Sequence, residues 1–465
     1  MDVPQRWDAE DLGPSSEPER PRNPPKTDSL YLSRCQVDTP DALVVATWAH
    51  VSRLRSSIKK VVDFGAGDGR FARHGCYDRY IGYEIDKERV RGAVIPENAK
   101  IIKKCAFESD MHDADVCIGN PPFVRNQDLP KYWRVKASER LFAKTGIRIS
   151  GLANAWQYFF LLALVSTKPR GLCALVIPYE WVSRPSARAL REFIQDKKWN
   201  VSVYRLVDTT FESVLTTSSI TIIDKDETSG RWHYFEETAT GEYKLVPSPS
   251  GTDAGVLRYA TRSETPKTGP RVMRGLSPGT QKVLTLTEGE RVRLGLSINR
   301  DVVPCVTTLR HLPADANELD QETFRAYYRS GGQKCWLIRT DKKQSAALAA
   351  YLDSVPSDHF QTATCLERTE WWKFTMPPVA NILMAMSFKG NFPKVAVNRI
   401  GARAVGGVYC IHNVPETDLV RLTSILEGTD IRDQIVSHAN GLRKIEVGQA
   451  NALLADTFRL SGTNP

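Results

Sequence analysis

No two of the nine cysteines, at positions 35, 76, 105, 117, 173, 305, 335, 365 and 410, lie close enough to form a CxxC pair. That absence argues against a zinc cluster, and no metal site is expected. Most of these cysteines sit in apolar runs, which predicts reduced, buried thiols. Long apolar runs are missing as well: the longest, roughly residues 156 to 165, is too short to cross a bilayer. The first residues hold no apolar signal core, so a cytoplasmic location away from any membrane is expected. Acidic residues fall short of basic ones, 54 against 63, and the net charge of +9 leans toward a polyanionic partner.

What is present describes an ordinary globular protein too long for one domain: 465 residues, 41% hydrophobic and 25% charged. Residues 1–28 contain six prolines and almost no large apolar side chains, and are expected to form a disordered tail. Residues 29–245 alternate β-rich runs with helical stretches. Strands are expected at 60–63, 80–84, 115–119, 172–177, 201–206 and 219–223, with helices over 153–166 and 186–197. This rhythm predicts an α/β fold: a doubly wound, mostly parallel sheet with helices on both faces. A Pro/Ser/Gly-rich stretch marks a linker over 246–270, and residues 271–465 read as a second domain of mixed α+β type.

Three short motifs carry chemistry. Val61 to Arg70 is a strand followed by the turn Gly65-Ala66-Gly67-Asp68-Gly69, where glycines let backbone N–H groups approach a ligand. No Gly-Lys-Ser/Thr follows, which excludes a P-loop. Glu84 ends the next strand, about twenty residues after Asp63, where an acid can accept hydrogen bonds from a ribose. A dinucleotide and S-adenosylmethionine both satisfy that pair of motifs. Third, Asn120-Pro121-Pro122-Phe123 follows the apolar run Asp115 to Gly119. The prolines force the strand to stop there, leaving an amide, a proline carbonyl and an aromatic face side by side. Such a turn suits a planar substrate carrying an amino group.

In that order, Asp63-x-Gly65-x-Gly67-x-Gly69, Glu84 and Asn120-Pro121-Pro122-Phe123 resemble the S-adenosylmethionine-dependent amino-methyltransferases. More closely they resemble the gamma-class DNA adenine-N6 methyltransferases of bacterial type II restriction–modification systems. The resemblance covers residues ~30–224 motif by motif and the remainder in outline. It implies the methyltransferase fold over 29–245, S-adenosylmethionine as cofactor, and a DNA target-recognition domain over 271–465. It implies that Thr39-Pro40, Asp63, Gly65 and Gly67 surround the methionine moiety, that Glu84 binds the ribose, and that Asn120 touches the cofactor as well as the base. Thr39-Pro40 equally fits a helix N-cap. Phe123 and Phe211 would pack on the extruded base, although Phe211 also fits plain core packing. Two positions depart from the family pattern. Cys105-Ala106-Phe107 has no acid before the phenylalanine, leaving Asp110 as the substitute adenine contact, and Asn154 stands where an acid is common.

In this reading the Asn120 oxygen and the Pro121 carbonyl accept the two amine hydrogens, returning density to a nitrogen whose lone pair is delocalised. Such a site is inaccessible within a duplex, so the base must be flipped out. Arg274, Lys394, Arg399 and Arg403 are candidate DNA contacts, while Trp371 and Trp372 are expected in the core. Double-stranded DNA is the expected partner, and any cognate restriction endonuclease would be a separate chain. N4-cytosine methylation uses the same amide geometry, and a DNA-binding protein with a degenerate cofactor fold is the rival from another class. Serine in place of Asn120 is commoner for cytosine in related families, which favours adenine.

Overall fold

A computed structural model describes residues 38–110, 112–207, 210, 217–238, 240–246, 263–435, 437–439 and 442–460. Nine strands form one sheet: β1 Lys60–Phe64, β2 Arg79–Glu84, β3 Ala99–Lys103, β4 Ala114–Gly119, β5 Thr167–Pro178, β6 Asn200–Arg205, β7 Ser218–Asp224, β8 Trp232–Glu237 and β9 Tyr243–Val246. Their spatial order is β3-β2-β1-β4-β5-β7-β6-β8-β9. The first five run parallel, whereas β7 lies antiparallel between β5 and β6, and β9 antiparallel to β8. The sheet is therefore an α/β sheet that is parallel through its first half and mixed beyond it.

The central strands read as continuous apolar runs because both faces are covered. Val61, Val62, Val116, Cys117 and Ile118 are fully buried. The helix Ala155–Ser166 is apolar nearly all round and packs into the core with Val62, Phe64, Ile81, Tyr83 and Cys117. Alternation along the strands turns Val61 and Asp63 to the opposite face. That helix begins two residues later than its apolar run suggests, because the Asn154 N–H donates to Gln157 Oε1 at 2.7 Å and caps it. Strand β3 escaped the sequence pattern since Ala99–Lys103 is only half-buried, and β8 and β9 extend the sheet past the last expected strand.

Beyond residue 270 the architecture is α+β in small pieces. A five-stranded sheet orders Arg271–Arg274, Val408–His412, Ile382–Ala385, Val395–Asn398 and Glu318–Leu319. Four-stranded and three-stranded sheets accompany it, with helices Ala346–Asp353, Leu419–Gly428 and Val447–Leu460. Trp371 and Trp372 pack against one of its cores, and Trp371 stacks on Phe360 with ring centroids 4.3 Å apart. No helix among the described residues is long and apolar enough to cross a membrane.

Candidate functional site

Strands β2 and β3 lie to one side of β1, and β4 and β5 to the other. The crevice beyond the carboxyl ends of β1 and β4 is thus the topological switch point, where open α/β sheets take ligands. The turn after β1 is pinned to β2: Gly65 and Ala66 N–H both donate to the Tyr83 carbonyl at 2.9 Å. Glu84 holds it from the side. Its Oε2 accepts from Gly67 N–H at 2.9 Å, and its Oε1 from Ile85 and Asp86 N–H at 2.8 and 2.9 Å. Gly65, Gly67 and Gly69 adopt φ of +110°, +57° and +80°, which favours glycine at each. A Cβ on Gly65 would sit 3.5 Å from Pro122 Cδ and 3.8 Å from Pro121 Cα. The glycine turn therefore abuts the Asn-Pro-Pro turn directly.

Asp63 is fully buried beneath this junction. Tyr80 Oη donates to its Oδ2 at 2.6 Å, while Oδ1 has no hydrogen-bond partner among the described residues. Burial pushes its carboxyl up to about 7, against the Tyr80 hydrogen bond and with a smaller upward push from the Glu84 charge. Gly119, the last residue of β4, lies so close that a Cβ there would stand 2.2 Å from Asp63 Oδ1.

Asn120 comes next. Its Nδ2 donates to the buried hydroxyl of Thr39 at 3.0 Å, and its Oδ1 is buried with no hydrogen-bond partner among the described residues. Thr39 is fixed in turn by Arg70, whose guanidinium donates to the Thr39 carbonyl and pairs with Asp68 at 2.9 Å. The N-cap position of the helix Asp41–Leu54 belongs to Pro40. Thr39 instead spends its side chain on Asn120. Pro121 is buried, and Phe123 is half-buried against the main core.

The structure thus gathers Thr39, Asp63, Gly65, Gly67, Glu84 and Asn120 to Pro122 around one crevice. Asp110 is exposed, two residues before His112, whose Nε2 meets Tyr83 Oη at 2.6 Å. Ala106 and Phe107 are buried, with Phe107 edge-on to Trp133 and Phe159. Asn154 faces the segment that leaves the Asn-Pro-Pro-Phe turn: its Oδ1 accepts from Asn126 N–H at 2.9 Å. Phe211 lies outside the described residues.

The four candidate DNA-binding cations are each engaged by protein acceptors. Lys394 Nζ donates to the Ala314 carbonyl and pairs with Glu427 at 3.2 Å. Arg399 bridges Glu318 and Glu416 at 2.8 and 2.6 Å, and Arg403 donates to the Pro377 carbonyl at 2.7 Å. Arg274 pairs with Glu446 at 3.2 Å, yet its side chain stays 68% exposed.

Tyr80 and Arg70 are site-supporting residues that the motifs did not point to. Register supplied a signal for the first. Asp63 pairs with Gly82, so Tyr80 and Glu84 share its face of the sheet, and Gly82 puts no side chain between them.

Two family descriptions match this chain, together over more than half of it. Residues 82–213 match the Eco57I restriction-modification methylase, and residues 267–425 match the C-terminal domain of the type II methyltransferase M.Eco57I. The type II methyltransferase M.XamI of Xanthomonas campestris pv. amaranthicola is 27% identical over 211 residues, 42% of this chain and 39% of that relative. The type II methyltransferase M.AccI of Acinetobacter calcoaceticus is 20% identical over 402 residues, 76% of this chain and 71% of the relative. The match thus spans about two fifths of the Xanthomonas protein's length. Among solved structures, the methyltransferase subunit of a type I restriction-modification system from Streptococcus thermophilus aligns with a TM-score of 0.37. Its identity is 18%, over 47% of this chain and 51% of that one.

Proposed function

We propose that this chain, which belongs to the restriction-modification methylases of the Eco57I family, is a site-specific DNA methyltransferase. Its reaction moves a methyl group from S-adenosylmethionine to the N6 amine of an adenine turned out of the duplex. The observation that carries the reading is the Asn120 Oδ1 atom, buried and without a protein hydrogen-bond partner among the described residues, at the end of β4. A buried amide oxygen is costly to leave unsatisfied, so it is placed for a donor that arrives with a substrate.

The residues fit the cofactor. Three positive-φ glycines open a close backbone approach, and Asp63, two residues before the first of them, has an Oδ1 without a hydrogen-bond partner among the described residues. Thr39, Pro40, Asp63, Gly65 and Gly67 would line its methionine end, Glu84 its ribose and Asp110 its adenine. When bound, S-adenosylmethionine supplies an electrophilic sulfonium methyl. Asn120 Oδ1 and the Pro121 carbonyl accept the two hydrogens of the substrate amine and so orient its nitrogen lone pair. Thr39 fixes which way the amide points, because its hydroxyl takes up Nδ2. Phe123 offers an aromatic face for stacking, a contact worth roughly 1–3 kcal/mol. After transfer the extra proton leaves to water.

Residues 271–465 are read as the domain that grips the flanking DNA, because extruding a base from a duplex costs a few kcal/mol. Incubation with tritiated S-adenosylmethionine and unmodified bacterial DNA, followed by digestion to nucleosides, tests the reading. N6-methyladenine is expected. N4-methylcytosine would reassign the base, and salt-sensitive DNA binding without any tritium transfer would overturn the enzyme assignment.

A further inference from the structure

We infer that Leu152 enters the DNA duplex beside the target base, occupying the space that the extruded base leaves. The inference rests on the methyltransferase reading above and adds a residue to which the sequence motifs give no role.

Leu152 is 78% exposed, the most exposed large apolar side chain among the described residues. Single surface leucines are ordinary, so exposure alone decides nothing. What distinguishes this one is how it is held. The Asn126 side-chain Nδ2 donates to the carbonyls on both sides of it, Gly151 at 2.8 Å and Ala153 at 3.1 Å. Arg134 Nη1 reaches Asn126 Oδ1 at 3.3 Å, and Asn154 Oδ1 accepts the Asn126 N–H at 2.9 Å. Leu152 N–H donates to Ser150 Oγ at 3.2 Å. A side chain left in water is thus presented on a backbone whose every neighbour is tied down.

The tie leads straight to the site. Asn126 stands three residues after Phe123, a path of at most about 11 Å. The Ala155 N–H donates to the Val124 carbonyl at 2.9 Å, closing the loop onto the catalytic turn. Leu152 is therefore carried on the same rigid piece as Asn120 to Phe123. The chain between the catalytic turn and Leu152 is basic: residues 125 to 148 hold seven Lys and Arg against two Asp and Glu, with Arg125 paired to Asp128 at 2.9 Å and Lys136 to Glu108 at 3.4 Å. Arg125, Lys131, Lys136, Lys144 and Arg148 are exposed. An exposed apolar side chain that follows a basic stretch and is tied to a base-extruding turn has the chemistry of a wedge that slips between base steps.

Two measurements on the full chain decide it. The first compares wild type with Leu152→Gly on an unmethylated duplex carrying the site that the wild type modifies, and on the same duplex with an abasic position opposite the target. The abasic partner removes the pairing that opposes extrusion. The variant should lose roughly tenfold or more in kcat/KM on the paired duplex and regain most of it on the abasic one. Equal loss on both duplexes, or no loss on the paired one, overturns the proposal. The second places a benzophenone side chain at position 152, or at Leu245 as an exposed comparison, and irradiates with duplex DNA. Cross-linking is expected from 152 alone, and its absence there also overturns the proposal. Because cross-linking needs no methyl transfer, a wild-type chain that fails to methylate DNA sinks the enzyme reading by itself, and the cross-link still decides Leu152.

Discussion

Thr39 and Asn120 stand 81 residues apart in the chain, yet the Asn120 Nδ2 donates to the Thr39 hydroxyl at 3.0 Å. That bond fixes the amide plane and leaves its oxygen buried and without a hydrogen-bond partner among the described residues. Asn120→Ala should abolish methyl transfer while cofactor affinity, followed by calorimetry, changes little. Thr39→Val keeps the shape but releases the amide, so kcat should fall roughly tenfold, the scale of one neutral hydrogen bond. Full activity in both variants would falsify the role given to this amide.

The raised carboxyl of Asp63 makes stability depend on pH in a defined sense. Burial holds its proton in the folded chain up to about 7, against an ordinary value of 3.8. Between those values the folded state binds more protons than the unfolded one, so stability falls as pH rises through the window. Asp63→Asn has no such proton to lose. Its stability should therefore gain on wild type from pH 4 to pH 8, by up to roughly 4 kcal/mol at the upper end, read as a rising difference in melting temperature. Parallel melting curves across that range would count against an ionising buried carboxyl.

Glu84 accepts three backbone N–H groups, including that of Gly67. Glu84→Ala removes these acceptors together with the proposed ribose contact. Cofactor affinity should drop by roughly tenfold or more, since hydrogen bonds to a charged group contribute about 1.5–3 kcal/mol. Equilibrium dialysis with labelled cofactor reads the change directly.

Gly119 has no room for a side chain. Its φ is +145° and a Cβ would stand 2.2 Å from Asp63 Oδ1. Gly119→Ala should destabilise the chain by roughly 3 kcal/mol or more, combining backbone strain with a clash against a buried carboxyl. Gly146 also has positive φ but meets nothing within 4 Å, so Gly146→Ala should cost only about 1 kcal/mol. Chemical denaturation of the two variants separates strain alone from strain with collision.

Glu446 receives Arg184 from the segment following β5 and Arg274 and Lys444 from the C-terminal portion. Glu446→Ala strands a half-buried Arg184 with Glu180 as its remaining acid. A loss of roughly 1–3 kcal/mol is expected, with faster proteolysis between the two portions. An unchanged melting temperature would show that this joint carries no net stability.

The central strands were legible because fully buried parallel strands are written as unbroken apolar runs, as in Val116-Cys117-Ile118. The site turns were legible for a similar reason. Glycines at 65, 67 and 69 and prolines at 121 and 122 act on their own φ angles, wherever the rest of the chain goes. Strand β3 was hidden because a half-buried edge of five residues needs little apolar character. Cations such as Lys394 and Arg399 read as free in one dimension, since their partners Glu427, Glu318 and Glu416 are brought to them only by folding.

Local stereochemistry and periodicity, which are properties of the chain itself, determined the central strands, the glycine turn and the Asn-Pro-Pro-Phe turn. Tertiary structure alone decided the rest. It buried Asp63 under Tyr80, gave Thr39 to Asn120, and set Leu152 on a backbone pinned by Asn126. Each of these depends on which groups lose water together and which donor meets which acceptor. Those are pairings between residues distant in sequence, and only the folded chain brings them into contact.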